Sequence, residues 1–351
     1  MARTMPRVPA LDGLRAVAAV LVFVHHVQLP GIHPATIGLD VGVMLFFALS
    51  GYLLYTPFIA HPVEDGHGRS AAAFLVRRTF RIYPAYLVAL AGSAWLYGWE
   101  PSSLLDVVTF GPSSLLVAWT LRVELAFYLL LPVVVFAMRG APARVRVRVL
   151  LAGAAVSLLA GLLALATEGV VSPEWPAWLF AFVPGMLVGE LVVARHPALH
   201  ELARIRWLAV GVALLAASAL PNLVYADIPG AVGAAILIAW CVARPAPGER
   251  AARAMVGAGA LAYGVYLWHL PIIDAFRTDF TWGSVVLVSV LTLATAAVTY
   301  VLVESPGMRA GARLSRRIQA RGTLVPAPVV ALVPATALTP EPVASVDERP
   351  R

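Results

Sequence analysis

Lysine is absent from this chain, and cysteine occurs once, at Cys241. One cysteine excludes an intrachain disulfide framework and any metal site made of several thiolates. In its apolar run Cys241 reads as a small buried hydrophobe. Charge is scarce too: 13% of the 351 residues are charged, about half the share usual in soluble domains. There is no glycine-rich phosphate loop or dinucleotide fingerprint, no internal repeat and no cluster with metal-ligand spacing, so neither a metal nor a permanently bound cofactor is expected. The basic residues are all arginine, 26 against 19 acidic residues, for a net charge of +7. A basic balance can point to nucleic acid. Here the arginines gather at the ends of apolar runs, where membrane topology puts them, and no nucleic-acid partner is expected.

What is present is apolar surface. Hydrophobic residues make up 60% of the chain, and the mean hydropathy is +0.83. A soluble core of this size could not bury that much, whereas a bilayer can, at roughly 20 apolar residues per spanning helix. Ten segments qualify: 11–29, 38–60, 80–98, 115–138, 148–167, 177–194, 207–223, 229–243, 255–276 and 282–303. With the N-terminus inside, Arg69, Arg77, Arg78, Arg139, Arg144, Arg146, Arg148, Arg195, Arg204, Arg206, Arg244, Arg250 and Arg253 fall in inside loops. Glu100, Asp106, Glu168, Glu174 and Asp227 fall outside, with Arg277 as the lone basic exception. The asymmetry predicts an all-α, polytopic transmembrane helical bundle of about ten transmembrane helices, both termini cytoplasmic. Its place is the cell inner (cytoplasmic) membrane. The basic start and the apolar run Leu14–Val24 imitate a signal peptide, but His25, His26 and Gln28 follow in place of a small-residue cleavage site, so a retained first helix is expected. The transmembrane domain covers 1–310. Residues 311–351 are basic and then rich in Pro and Ala, and read as a disordered cytoplasmic tail.

Ionisable residues inside spans cost about 2.5–3.5 kcal/mol each on insertion scales, so each needs a reason. The first span holds Asp12, Arg15, His25 and His26. Arg15 and His26 are three turns apart, share one face and lie about 16 Å apart along the axis, with His25 on another face. The alternative is an arginine that snorkels to the interface and a histidine that packs. In the fourth span Glu124 and Tyr128 share a face at i, i+4, while Arg122 points elsewhere; an Arg–Glu network that only ties helices together is the alternative. The ninth span carries Tyr263, Tyr266 and His269, whose tyrosines could be interfacial belt. On this topology His26, Glu124 and His269 lie in the outer halves of their helices, and Ser50, Arg78 and Arg81 lie nearer the middle or the cytoplasmic side.

Six stretches, in order, resemble the acyltransferase-3 family of integral membrane O-acyltransferases. They are Leu11-Asp12-Gly13-Leu14-Arg15-Ala16 followed by His26; Gly42 to Tyr52; Arg77-Arg78-Thr79-Phe80-Arg81-Ile82-Tyr83-Pro84; Trp119 to Tyr128; Tyr263 to His269; and Glu304-Ser305-Pro306. Met44 stands where many members have Asp, Thr120 replaces Ser and keeps the hydroxyl, and Ala262 replaces a frequent Ser. Some relatives carry a further hydrolase-like domain outside the membrane, for which these residues leave no room.

The resemblance implies transfer of an acyl group, most often acetyl, from acyl-CoA to a hydroxyl of a sugar, glycoconjugate or glycosylated metabolite. A hydroxyl attacks a thioester only as a base takes its proton, and histidine suits that task near neutral pH. His26 is the expected base, Glu124 its orienting acid, and Arg15 an oxyanion or donor-positioning group. Arg78 and Arg81 are expected at the CoA phosphates, or as ordinary inside charges. Ser50, Tyr128, Tyr266 and His269 are expected near the donor or substrate, with close helix packing the alternative for Ser50. Two rivals stay open: a glycan or lipid transporter or flippase, which would also use midplane charges, and an enzyme acting on a small secondary metabolite.

Overall fold

The computed structural model describes residues 7–31, 38–60, 67–98, 104–111, 117–168, 175–219, 227–277 and 281–320. The described residues form helices and no strand. The long helices are α1 (Pro9–Val27), α2 (Gly42–Ala60), α3 (His67–Tyr97), α4 (Ala118–Ala137), α5 (Ala143–Glu168), α6 (Val183–Val193), α7 (Ile205–Ser218), α8 (Asp227–Ala243), α9 (Glu249–Phe276), α10 (Trp282–Thr299) and α11 (Ser305–Ala320). A 3₁₀ turn, Leu39–Val41, leads into α2; another, Leu179–Phe182, leads into α6; and a π segment, Tyr300–Glu304, joins α10 to α11.

A helix occupies each of the ten apolar segments. Among the described residues, however, seven stretches are long and apolar enough to cross a membrane: Pro9–Val27, Leu39–Ala60, Ala118–Ala137, Ala143–Thr167, Pro176–Val193, Glu249–Phe276 and Trp282–Ala320. The helices α7 and α8 are apolar but shorter. In α3, Arg81, Tyr83, Pro84 and Tyr86 dilute the apolar run.

Two expectations are corrected. Arg77 and Arg78 are not in a loop, because α3 starts at His67, well before residue 80. The basic stretch after residue 304 is helical as far as Ala320, so residues 311–320 of the expected tail are helix; its remainder, 321–351, lies outside the described residues. Both changes have one cause, the packing of α3 against α11. Gly307 and Gly311 bring α11 against Phe80, and Arg77 donates to Ser315. Arg309, Arg313, Arg316 and Arg317 face outward.

The interior is built around α2, whose side chains are buried over most of its length. It crosses α6 at backbone contact: a Cβ on Gly185 would overlap the Ala48 carbonyl oxygen, and one on Gly51 that of Phe182. Small residues at such crossings let membrane helices approach closely. Phe182 stacks between Phe127 and Phe47, at ring centroid distances of 4.0 and 4.8 Å. The α1–α9 pair closes the bundle with Gly259 against the backbone of Asp12.

Candidate functional site

Arg15, Ser50, Arg78, Arg81, Glu124, Tyr128 and Tyr266 converge on one cavity, together with Thr120 and Tyr263. They come from α1, α2, α3, α4 and α9, so the site exists only once those helices pack. Phe46, Phe47, Leu53 and Leu121 supply apolar wall. The cavity measures about 80 Å³, several times the roughly 10–15 Å³ that holding one water requires.

Glu124 is the only acidic group among the described residues that line it. Its Oε1 accepts from Ser50 Oγ at 3.1 Å and from the Tyr128 hydroxyl at 2.5 Å. Three guanidinium groups share the space. Arg15 is held by Asp12, whose Oδ1 accepts from Arg15 Nη1 at 3.1 Å and whose Oδ2 accepts from Arg7 Nε at 2.9 Å. Asp12 is 7% exposed, so the carboxylate is well shielded and its hold on Arg15 is stronger than a surface pair's. The Arg78 guanidinium lies over the rings of Phe74 and Tyr128, at 5.8 and 5.9 Å, and its Nε is buried with no hydrogen-bond partner among the described residues. Arg81 Nη1 lies 3.0 Å from Met308 Sδ on α11. Tyr263 donates to the Ile82 carbonyl at 2.9 Å, which ties α9 to α3 beside the cavity.

The histidines form a second group. His26 Nδ1 and His269 Nε2 are 3.3 Å apart, and neither residue lines the cavity. His269 is fully buried. Tyr266 joins the two groups. Its hydroxyl lies 2.6 Å from Thr120 Oγ and donates to the Val117 carbonyl at 3.0 Å, while its own carbonyl accepts from His269 Nδ1 at 2.7 Å. The Phe46 ring meets it edge to face, at 5.7 Å.

The shared face of Arg15 and His26 therefore bridges two groups rather than lining one chamber. The acid–His pair expected of Glu124 and His26 is replaced by Glu124 with Ser50 and Tyr128, and by His26 with His269. Arg122 points away from the cavity and donates to the Phe110 carbonyl at 2.9 Å.

Other polar residues had gone unassigned in the sequence. Asp12 stands three residues before Arg15, an i, i+3 spacing that could have signalled the pair. Glu190 on α6 is 4% exposed and pairs with Arg146 of α5, far along the chain; a carboxylate within an apolar run is itself the signal. Glu304, in the π segment, is 1% exposed, and its Oε1 has no partner among the described residues.

The model of the family described as "Acyltransferase domain" matches residues 8–304. OatA of Listeria monocytogenes, named a peptidoglycan O-acetyltransferase, is 31% identical over 153 residues, which cover 36% of this chain and 24% of that protein. YrhL of Bacillus subtilis, whose name assigns it the same activity provisionally, is 26% identical over 370 aligned positions, covering 89% of this chain and 56% of the relative. The chain thus spans between a quarter and just over half the length of these two relatives. No solved structure matches. With the six motifs gathered on five packed helices and the π segment, and the family model matching almost the whole membrane region, the chain belongs to the acyltransferase-3 family.

Proposed function

We propose that the chain is a membrane O-acyltransferase that moves an acyl group, acetyl foremost, from acyl-CoA to a hydroxyl of a cell-envelope glycan. Acyl-CoA acts as a donor substrate, not a resident cofactor. The observation that carries this reading is the cavity in which Arg15, Arg78 and Arg81 face a single carboxylate, with Arg78 Nε buried and unpartnered. Such a site favours an anion, and the CoA phosphates are one. The names of the relatives support peptidoglycan as the acceptor class.

The mechanism follows from the chemistry. The acceptor hydroxyl attacks the thioester carbonyl carbon while its proton passes to His26 Nε2. Arg15, which Asp12 keeps oriented, positions the donor in the cavity; a preoriented cation is most effective where water is excluded. The C–S bond then breaks, and the thiolate takes the proton from His26. Arg78 and Arg81 hold donor phosphate. Ser50, Tyr128 and Tyr266 line the donor's path, and Glu124 anchors Ser50 and Tyr128. The thioester end of the donor extends from the cavity past Tyr266 to His26, where the acceptor hydroxyl meets it.

In this reading ten helices cross the cytoplasmic membrane with both termini inside. The shorter α7 and α8 cross as a packed pair, α3 crosses with its arginines turned inward, and residues beyond Ala320 form a cytoplasmic tail. The test is transfer of label from radiolabelled acetyl-CoA in membranes containing the protein. Label in a glycan fraction above that of membranes lacking the protein supports it. Glycan or lipid movement without label transfer would instead support a transporter.

A further inference from the structure

The His26–His269 pair carries more information than proximity. The rings meet edge to face with centroids 4.9 Å apart, and the His25 ring packs on His26 from another side at 4.7 Å. His26 Nδ1 lies 2.8 Å from the Val22 carbonyl oxygen, one turn back on α1. A carbonyl oxygen only accepts, so the nitrogen facing it carries the hydrogen. His26 is therefore protonated at Nδ1, and its Nε2 keeps a lone pair. The same logic applies to His269, whose Nδ1 faces the Tyr266 carbonyl at 2.7 Å. That leaves a bare Nε2 on His269, 3.3 Å from the Nδ1–H of His26. Two acceptors, one carbonyl and one neutral imidazole, thus flank a single N–H.

We propose that His269 is a positioning residue for His26. It stands where many acid–base pairs place a carboxylate. Its lone pair, with the Val22 carbonyl, fixes the tautomer that leaves His26 Nε2 bare and receives the positive charge at Nδ1–H once Nε2 has taken a proton. The inference rests on the reading of His26 as the base. In the step it serves, the acceptor oxygen bonds to the thioester carbonyl carbon and its proton goes to His26 Nε2; the C–S bond breaks and the departing thiolate removes that proton. His269 exchanges no proton and is left unchanged. A carboxylate buried in its place would need a compensating charge. A neutral imidazole, itself oriented by the Tyr266 carbonyl, does not.

The test uses the full chain in lipid nanodiscs, with radiolabelled acetyl-CoA as donor and a muropeptide disaccharide as the acceptor probe. His269→Phe keeps the ring and removes the acceptor; His269→Gln restores an acceptor oxygen. The phenylalanine variant should lose kcat by about 10–100-fold, within the range general-base assistance supplies. Its donor KM should stay unchanged, and the glutamine variant should recover most of the loss. Wild-type kcat in the phenylalanine variant, or no recovery with glutamine, overturns the proposal. His26→Ala in the same assay reports on the base itself, because full activity there removes His26 whatever His269 does. Nitrogen NMR of ¹⁵N-histidine-labelled wild-type protein decides the tautomer without any turnover. The signal lost in His26→Ala should be that of an Nδ1–H imidazole, and an Nε2–H signal overturns the proposal.

Discussion

Replacing Glu190 with Leu should destabilise the bundle far more than its distance from the cavity suggests. The Glu190 side chain is 5% exposed and that of Arg146 21%. Arg146 grips it with two bonds, Nε to Oε1 at 2.7 Å and Nη2 to Oε2 at 2.6 Å, and Tyr55 adds a third at 2.5 Å. The three residues lie on α6, α5 and α2, so the cluster ties three helices. Removing one partner of a buried pair costs about 3–5 kcal/mol, because the other charge is stranded. Arg146 is partly exposed and keeps its bond to the Ala141 carbonyl, which puts the expected loss near the lower end, about 3 kcal/mol. At roughly 2 °C per kcal/mol for a chain of this size, the apparent Tm falls by on the order of 6 °C. The assay is thermal unfolding in nanodiscs, followed by intrinsic fluorescence. Glu190→Leu combined with Arg146→Leu should be less destabilised than Glu190→Leu alone, since neither charge is then stranded. Glu249→Ala, which removes the exposed Glu249–Arg253 pair, should change Tm little. A Glu190→Leu variant as stable as wild type, or one more stable than the double variant, would refute the reasoning.

Three further outcomes are expected. Arg78→Ala should raise donor KM by roughly 10–100-fold, the equivalent of one charge-assisted contact of about 1.5–3 kcal/mol, with kcat changed much less; steady-state kinetics with acetyl-CoA checks the split. Asp12→Asn should raise donor KM roughly tenfold with kcat changed less, because Arg15 loses the charge that orients it; the same kinetics applied to both constants tests this. Gly185→Val should prevent accumulation of folded protein, since the added Cβ meets backbone rather than a movable side chain; size-exclusion profiles of a fluorescent fusion report it.

Most helices were legible because seven of the apolar runs among the described residues are long enough to cross a bilayer, and that rule needs no partner to act. The start of α3 was not. Residues 67–79 are too polar to mark a span, and within them Val76 and Arg77 pack on Gly311 and Ser315 of α11, a contact the span rule does not contain. Helical period placed Glu124 and Tyr128 on one face, and Tyr128 donates to Glu124 in the structure; it placed Arg15 and His26 on one face too, and they belong to separate groups. Period cannot say which helix a face meets. The partners of Glu124 and of His26 depend on the register of α2 against α4 and of α1 against α9, and on contacts between Ser50 and Glu124 and between His26 and His269 that no spacing along one helix contains. The i, i+3 hold of Asp12 on Arg15 lies within one helix and is legible from spacing alone.

The central claim, a base-assisted acyl transfer through His26, is tested most directly by single-turnover transfer from radiolabelled acetyl-CoA. Wild type and His26→Ala would be compared at matched protein levels, with acylated glycan and free CoA thiol measured together. Wild type should release one thiol per acyl group transferred, and the variant should lose at least about 100-fold in both. Equal rates for the two proteins would contradict it.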